Sequence, residues 1–167
     1  VMKGQWNRRP FAGLSMLSNM RLGIVGLGRL GSMVAKYAIA TGMEVCFFDP
    51  YVVYSSPDVS RCQTLEELVS QSDIVTVHIP HENKTTGIFD KKLFSLFKVG
   101  SYFVNTSRGE LVDQAALLEV LIQGKLSGVA MDVFENEFNP QFNIAQHSLW
   151  DYAQSKTNLI LTPHIGG

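Results

Sequence analysis

Three glycines within residues 24–50, IVGLGRLGSMVAKYAIATGMEVCFFDP, have the spacing of a dinucleotide-binding turn. Gly26, Gly28 and Gly31 form G-x-G-x-x-G directly after an apolar, strand-like run and before a helical pattern. Gly26 permits a tight turn, Gly28 lets the backbone approach a pyrophosphate, and Gly31 lets helix and strand pack closely, with the anion at the helix N-terminus. The pattern alone is weak, because a simple packing turn has the same glycines.

A carboxylate at the end of the next strand-like run strengthens the dinucleotide interpretation. Asp49 lies 18 residues after Gly31, where it can accept hydrogen bonds from the two hydroxyls of an adenosine ribose. It would also repel a 2′-phosphate, and no compensating arginine is expected nearby, so NAD is favoured over NADP. The alternative is a packing turn followed by an ordinary surface aspartate.

Length, composition and charge narrow the classes of protein to which the chain can belong. Its 167 residues, 46% hydrophobic and 17% charged, are enough for one domain with a buried core. The formal net charge of −1 leaves no basic excess for nucleic acid or an anionic membrane, and no apolar run reaches the roughly 20 residues that span a bilayer. Cys46 and Cys62 form neither a disulfide framework nor a metal-spaced cluster. The composition favours a cytoplasmic protein without a metal site or a membrane segment.

Apolar runs of strand length alternate with helical patterns along the chain. The runs occupy 21–27, 44–48, 73–79, 101–105, 126–133 and 158–162, and the helical patterns occupy 29–40, 64–71, 91–97 and 113–123. The runs are too continuous for a sheet with one face in water, and the alternation implies right-handed crossovers. This predicts a Rossmann-type, doubly wound α/β fold in which a mostly parallel sheet carries helices on both faces. The weakly periodic stretch 135–157 is predicted to be a surface excursion with one short helix.

Longer stretches resemble one known family. VNTSRGELVDQAALLEVLIQGKLSGVAMDVFENE (104–137) and LTPHIGG (161–167) are similar to the D-isomer-specific 2-hydroxyacid dehydrogenases. MKGQWNRRPFAGLSMLSNMRLGIVGLGRLG (2–31) resembles the segment that leads into their nucleotide domain. The resemblance covers nearly the whole chain and is weakest over 138–157. It implies an NAD-dependent enzyme that interconverts 2-keto acids and D-2-hydroxy acids by hydride transfer.

The resemblance also implies a division of the chain and its partners. Residues 1–20 would be a lead-in segment truncated from a substrate domain, and 21–167 the NAD-binding domain, with the substrate domain itself absent. The family pairs its nucleotide domains, which implies a homodimer. We expect the chain alone to bind NADH without reducing keto acids efficiently, because the second wall of the cleft would be missing. The substrate is a small 2-keto or 2-hydroxy acid, with 3-phosphoglycerate, glyoxylate or hydroxypyruvate, and lactate-like acids all open.

Three residues are implied to carry the chemistry on that substrate. Arg108 follows the strand SYFVN, and its permanently charged guanidinium can bind a carboxylate in bidentate fashion. His164 follows the last strand and is suited to donate and recover a proton near neutral pH. The resemblance places Glu137 beside His164, where it would orient the ring and favour its protonated form. Glu135 is the rival, because both residues are acidic and two positions apart. Glu137 is favoured because the family's acid is the one usually followed by proline, although Phe138 replaces that proline here.

Other residues are implied to contact the cofactor. Thr106 and Asp132 resemble positions that contact the nicotinamide end of the cofactor. The alternative role of Asp132 is to cap a turn. Pro80 resembles a position that packs on the cofactor, and Thr85 is either a cofactor contact or a loop cap. The full predicted set is Gly26, Gly28, Arg29, Leu30, Gly31, Asp49, Pro80, Thr85, Thr106, Asp132 and Gly166.

Two alternatives to a catalytic domain stay open from the sequence. An NAD(H)-sensing, corepressor-like module would keep the cofactor site and use it to control association, and some such proteins keep the arginine, glutamate and histidine. An inactive, truncated cofactor-binding fragment would have no function of its own.

Overall fold

The computed structural model of the chain describes residues 15–52 and 56–166. In these residues seven strands form one sheet in the order β3-β2-β1-β4-β5-β6-β7, and all neighbouring strands are parallel. The strands are β1 (Arg21–Val25), β2 (Glu44–Phe48), β3 (Val59–Arg61), β4 (Ile74–Val77), β5 (Ser101–Asn105), β6 (Leu126–Met131) and β7 (Leu159–Leu161). The helices are α1 (Arg29–Ala40), α2 (Leu65–Gln71), α3 (Lys91–Leu96), α4 (Gln114–Ile122) and α5 (Ser148–Ser155). The predicted Rossmann-type α/β fold is confirmed.

Most elements have the predicted positions, and one strand was missed. Helix α1 and strands β2 and β5 have the predicted bounds, whereas the other predicted elements are slightly shorter. Strand β3 was not predicted, because only Val59 of its three residues is buried and the segment has no apolar run. The excursion after β6 contains a 3₁₀ turn, Ile144–Gln146, and the single α-helix α5, as predicted. Residues 1–14, with most of the predicted lead-in segment, lie outside the described residues.

Two apolar cores fix the sheet between its helices. Residues of α2, α3, α4 and α5 join one core, in which the ring centroids of Phe94 and Phe103 are 5.5 Å apart. Helix α1 packs on β1 and β2 on the other face, where Ile24 and Phe47 are fully buried. On β5 and β7, side chains alternate between the two faces of the sheet. Tyr102 and Ile160 therefore point away from the core formed with α2 to α5, and both are exposed. None of the described helices is both long and apolar enough to cross a membrane.

The parallel arrangement brings the candidate residues to one edge. Because all strands run in the same direction, their carboxyl ends meet there, and ligands of open α/β sheets bind outside this edge. The register pairs Val25 with Phe48 and Val77, Val77 with Asn105, and Asn105 with Met131. The loops after these strands carry the glycine turn, Asp49, Pro80, Thr106, Arg108 and Asp132.

Candidate active site

The three glycines of the turn each meet a different steric requirement. Gly26 has φ of +91°, and a Cβ there would lie 2.8 Å from the carbonyl oxygen of His78. A Cβ on Gly31 would lie 2.0 Å from the carbonyl oxygen of Gly26, so only glycine lets α1 approach the turn this closely. At Gly28, which precedes the 12-residue helix α1, no heavy atom of the described residues lies within 4 Å of such a Cβ. The turn therefore leaves open space beside a helix N-terminus, which fits a pyrophosphate.

Asp49 ties the end of β2 to this turn. Its Oδ2 accepts a hydrogen bond from the backbone N–H of Leu27 at 2.9 Å. Its Oδ1 accepts from the N–H groups of Tyr51 at 2.9 Å and Val52 at 3.3 Å. A carboxylate has about four acceptor positions, so one more remains for a ribose hydroxyl. Asp49 is only 9% exposed, which makes it a structural residue of the turn as well as a candidate ribose contact.

An arginine that sequence analysis missed lies next to Asp49. The end of β3 brings Arg61 beside β2, where its Nη2 donates to the carbonyl oxygen of Asp49 at 3.2 Å. The expectation that no arginine would lie near Asp49 was wrong. Arg61 lies 12 positions after Asp49 in sequence, and the two residues come into contact only because strand β3 pairs with β2. Since β3 was not predicted, this contact could not be predicted either.

The loop after β4 has its own hydrogen-bond network. The hydroxyl of Thr85 accepts from the N–H of Glu82 at 2.8 Å and lies 3.1 Å from the carbonyl oxygen of Pro80. These hydrogen bonds give Thr85 a loop-capping role, and its contact with the cofactor stays a prediction. Ser107 Oγ donates to the carbonyl oxygen of Ile79 at 2.5 Å, which links this loop to the one after β5.

The loop after β5 presents Arg108. Buried Asn105 holds the loop, since its Nδ2 donates to the carbonyl oxygen of Arg108 at 2.8 Å and its Oδ1 accepts from the N–H of Ser107 at 3.0 Å. A Cβ on Gly109 would lie 2.0 Å from the carbonyl carbon of Phe134, so this glycine lets the arginine loop pack on the loop after β6. The guanidinium of Arg108 is exposed at the sheet edge and donates to the carbonyl oxygen of Ser107.

The carboxylate beside His164 is that of Glu137. Glu137 Oε1 and His164 Nδ1 are 2.6 Å apart, and the two side chains are 13% and 28% exposed. Asn136, with φ of +58°, turns the chain so that Glu137 Oε2 accepts from the N–H of Phe134 at 3.3 Å. Glu135 acts on a different histidine: burial lowers the pKa of His147, and the charge of Glu135 opposes that shift. The pair forms although Phe138 replaces the expected proline.

Asp132 anchors the turn that carries His164. Its carbonyl oxygen accepts from the N–H of His164 at 2.8 Å, Oδ1 accepts from the N–H of Ile165 at 3.0 Å, and Oδ2 accepts from the N–H of Gly166 at 2.7 Å. The hydroxyl of Thr162 also donates to Oδ1. Burial raises the pKa of Asp132, but these hydrogen bonds outweigh burial and hold the pKa below its usual value. They stabilise a strained turn, since His164 has φ of +51°.

The remaining predicted contacts lie around this anchor or on the glycine turn. A Cβ on Gly166 would lie 3.1 Å from Asp132 Oδ2 and 3.6 Å from Thr106 Cγ2, so these three residues are neighbours. Arg29 and Leu30 are exposed on the first turn of α1. In the part of the chain that the structure describes, His, Cys, Asp and Glu form no group of three or more that could hold a metal ion.

Fold and turn together define a dinucleotide-binding domain, and comparisons with known proteins give its family. The family model described as "D-isomer specific 2-hydroxyacid dehydrogenase, NAD binding domain" matches residues 1–166. The chain belongs to this family.

Individual relatives agree with this assignment. The D-3-phosphoglycerate dehydrogenase of Bacillus subtilis is 39% identical over 99% of this chain, which spans 30% of that protein. The structure of D-2-hydroxyisocaproate dehydrogenase has a TM-score of 0.83 and 34% identity, over 90% of this chain and 47% of its own. The D-lactate dehydrogenase of Aquifex aeolicus, complexed with NAD and lactic acid, has a TM-score of 0.80 and 32% identity, over 98% of this chain and 52% of its own. The chain therefore spans about a third to a half of the relatives that it matches.

Proposed function

We propose that this chain is the cofactor-binding domain of an NAD-dependent dehydrogenase that interconverts 2-keto acids and D-2-hydroxy acids. The observation that carries the proposal is the Glu137–His164 pair, with 2.6 Å between its polar atoms, at the same sheet edge as the glycine turn. The similarity to phosphoglycerate, hydroxyisocaproate and lactate dehydrogenases supports this class of reaction.

The residues that would hold the cofactor lie along that edge. Gly26, Gly28 and Gly31 would hold the pyrophosphate, and Asp49 would accept from the adenosine ribose. At the other end, Thr106, Asp132 and Gly166 would border the nicotinamide, where the last acceptor position of Asp132 suits a carboxamide NH₂. Pro80, Arg29 and Leu30 would pack along the dinucleotide. When bound, the reduced nicotinamide supplies the hydride for the carbonyl carbon of the keto acid.

The remaining groups would act on the substrate. Arg108 would bind the carboxylate through paired N–H donors and so hold the keto acid beside the nicotinamide. His164 would donate a proton from Nε2 to the carbonyl oxygen during reduction and take it back during oxidation. Glu137, hydrogen-bonded to Nδ1, would orient the ring and stabilise its positive charge.

Glu137→Gln tests the role of the carboxylate in the intact enzyme. We expect keto-acid reduction to slow by roughly 10- to 100-fold, because a charge-assisted hydrogen bond is replaced by a neutral one, while the dissociation constant for NADH stays the same. Steady-state kinetics and an NADH titration measure the two effects. Glu135→Gln is the matched control and should retain normal turnover, since the carboxylate in contact with His164 is that of Glu137. Equal losses in both variants would remove the role proposed for Glu137.

The proposal also covers the domain bounds of the chain and its cellular location. Residues 21–167 would be the cofactor domain, preceded by a lead-in segment over 1–20, and a substrate domain would come from other sequence of the whole protein. The chain alone would bind NADH without efficient turnover. A cytoplasmic location is supported by the two buried free thiols of Cys46 and Cys62.

We further expect the chain to form a homodimer. Met16 and Leu17 belong to the apolar N-terminal segment FAGLSMLSNM (11–20) and are 71% and 49% exposed, and residues 11–14 of that segment lie outside the described residues. Apolar side chains this exposed favour association. Light scattering over a range of protein concentrations should give twice the monomer mass, and a monomer at all concentrations would contradict the expectation.

A further inference from the structure

The negative charge that should discriminate against a 2′-phosphate is already engaged by the protein. Asp49 accepts three backbone hydrogen bonds, from Leu27, Tyr51 and Val52, and is almost buried. N–H donors that point at a carboxylate stabilise its charge and reduce its field toward a nearby anion. Repulsion of a phosphate by Asp49 is therefore weaker than repulsion by an exposed, unengaged carboxylate.

A cation contacts the backbone of the same residue. Arg61 ends the edge strand β3, its side chain is exposed, and one of its five N–H donors contacts the carbonyl oxygen of Asp49 at 3.2 Å. A guanidinium stays charged and matches the geometry of phosphate oxygens. In dinucleotide-binding folds an acid at this position binds the ribose 2′-hydroxyl of NAD, whereas a nearby arginine accommodates the 2′-phosphate of NADP.

Among the described residues, Lys84 is another cation in this region, and it is less suited to the task. Tyr51 follows Asp49 by two residues, and the Nζ of Lys84 lies 4.9 Å from the centre of the Tyr51 ring. Its charge is paired with Glu82, at 3.2 Å between Nζ and Oε2. Arg61 is thus the cation that the geometry favours for an added phosphate.

We propose that Arg61 is a second determinant of cofactor selectivity, which lets this site bind the 2′-phosphate of NADPH as well as NADH. Asp49 still favours NADH, and Arg61 limits that preference. The inference rests on the proposed ribose site at Asp49.

Fluorescence titration of the chain with NADH and NADPH tests this at low ionic strength. We expect NADPH to bind within roughly 10-fold of NADH, because the guanidinium offsets the repulsion by Asp49. Arg61→Ala should weaken NADPH binding by roughly 10-fold and NADH binding by less than about twofold. Arg61→Lys should restore part of the NADPH affinity, since it keeps the charge but loses the fork of donors. In the unaltered chain, added salt should weaken NADPH binding more steeply than NADH binding, because the proposed ion pair between Arg61 and the 2′-phosphate is exposed to solvent.

Lys92→Ala is the control for net charge, because Lys92 is exposed on α3, away from Asp49. The inference is overturned if NADPH does not bind while NADH does, if Arg61→Ala weakens both cofactors equally, or if Lys92→Ala has the same effect. Failure of the folded chain to bind NADH at all would instead overturn the cofactor site proposed at the glycine turn.

Discussion

His164→Ala in the intact enzyme should lower kcat for keto-acid reduction by about 10²- to 10⁴-fold, because the variant has no group to protonate the carbonyl oxygen. The NADH dissociation constant should stay within a factor of about two, since the imidazole contributes no cofactor contact in the proposal. Pre-steady-state and steady-state measurements of NADH consumption, with a binding titration on the same sample, separate the two quantities.

The control for that variant is another histidine of the same region. His147 Nδ1 accepts from the N–H of Leu149 at the start of α5, and His147→Asn keeps an acceptor at this helix cap. It should leave turnover near the normal value. If His164→Ala weakens NADH binding as much as it slows turnover, His164 is a structural residue and the acid–base assignment is wrong.

Alanine substitutions at two glycines should separate folding from binding. In Gly31→Ala the new Cβ would lie 2.0 Å from the carbonyl oxygen of Gly26, so α1 has to move. Overpacking of this kind costs about 1–3 kcal/mol, although alanine gains about 1 kcal/mol in helix propensity. We expect a lower midpoint of thermal unfolding and loss of NADH binding.

Gly28→Ala should act mainly on binding. The space around Gly28 is open in the described residues, so the thermal midpoint should fall much less than in Gly31→Ala, by no more than the loss of a glycine N-cap requires. The added methyl group would enter the space proposed for the pyrophosphate, and NADH should bind at least about tenfold more weakly. Equal NADH affinity in Gly28→Ala and the unaltered chain would place the pyrophosphate elsewhere.

The parts of the site that the sequence predicted well are those fixed by local pattern. Residues Gly26 to Gly31 determine the turn through backbone sterics alone, and long apolar runs determined β2 and β5. The choice between Glu135 and Glu137 could not be made locally. It depends on the left-handed turn at Asn136, which directs Glu137 to His164.

Contacts between residues far apart in sequence were the other feature that sequence patterns could not predict. Arg61 reaches Asp49 only because the short edge strand β3 pairs with β2, and three residues with one buried side chain give no periodic signal. Asp132 was predicted as a nicotinamide contact with a turn cap as the alternative. The structure shows that its carbonyl and carboxylate oxygens hold the His164 turn, 30 and more residues away in sequence, and the nicotinamide contact stays a prediction.

Titration of the 167-residue chain with NADH, followed by nicotinamide fluorescence, tests whether the glycine turn binds a dinucleotide. We expect saturable binding by a sample that unfolds cooperatively, because the glycine turn, Asp49 and Asp132 all belong to this chain. A folded sample that shows no saturable change in fluorescence would contradict the assignment of the turn as a dinucleotide site.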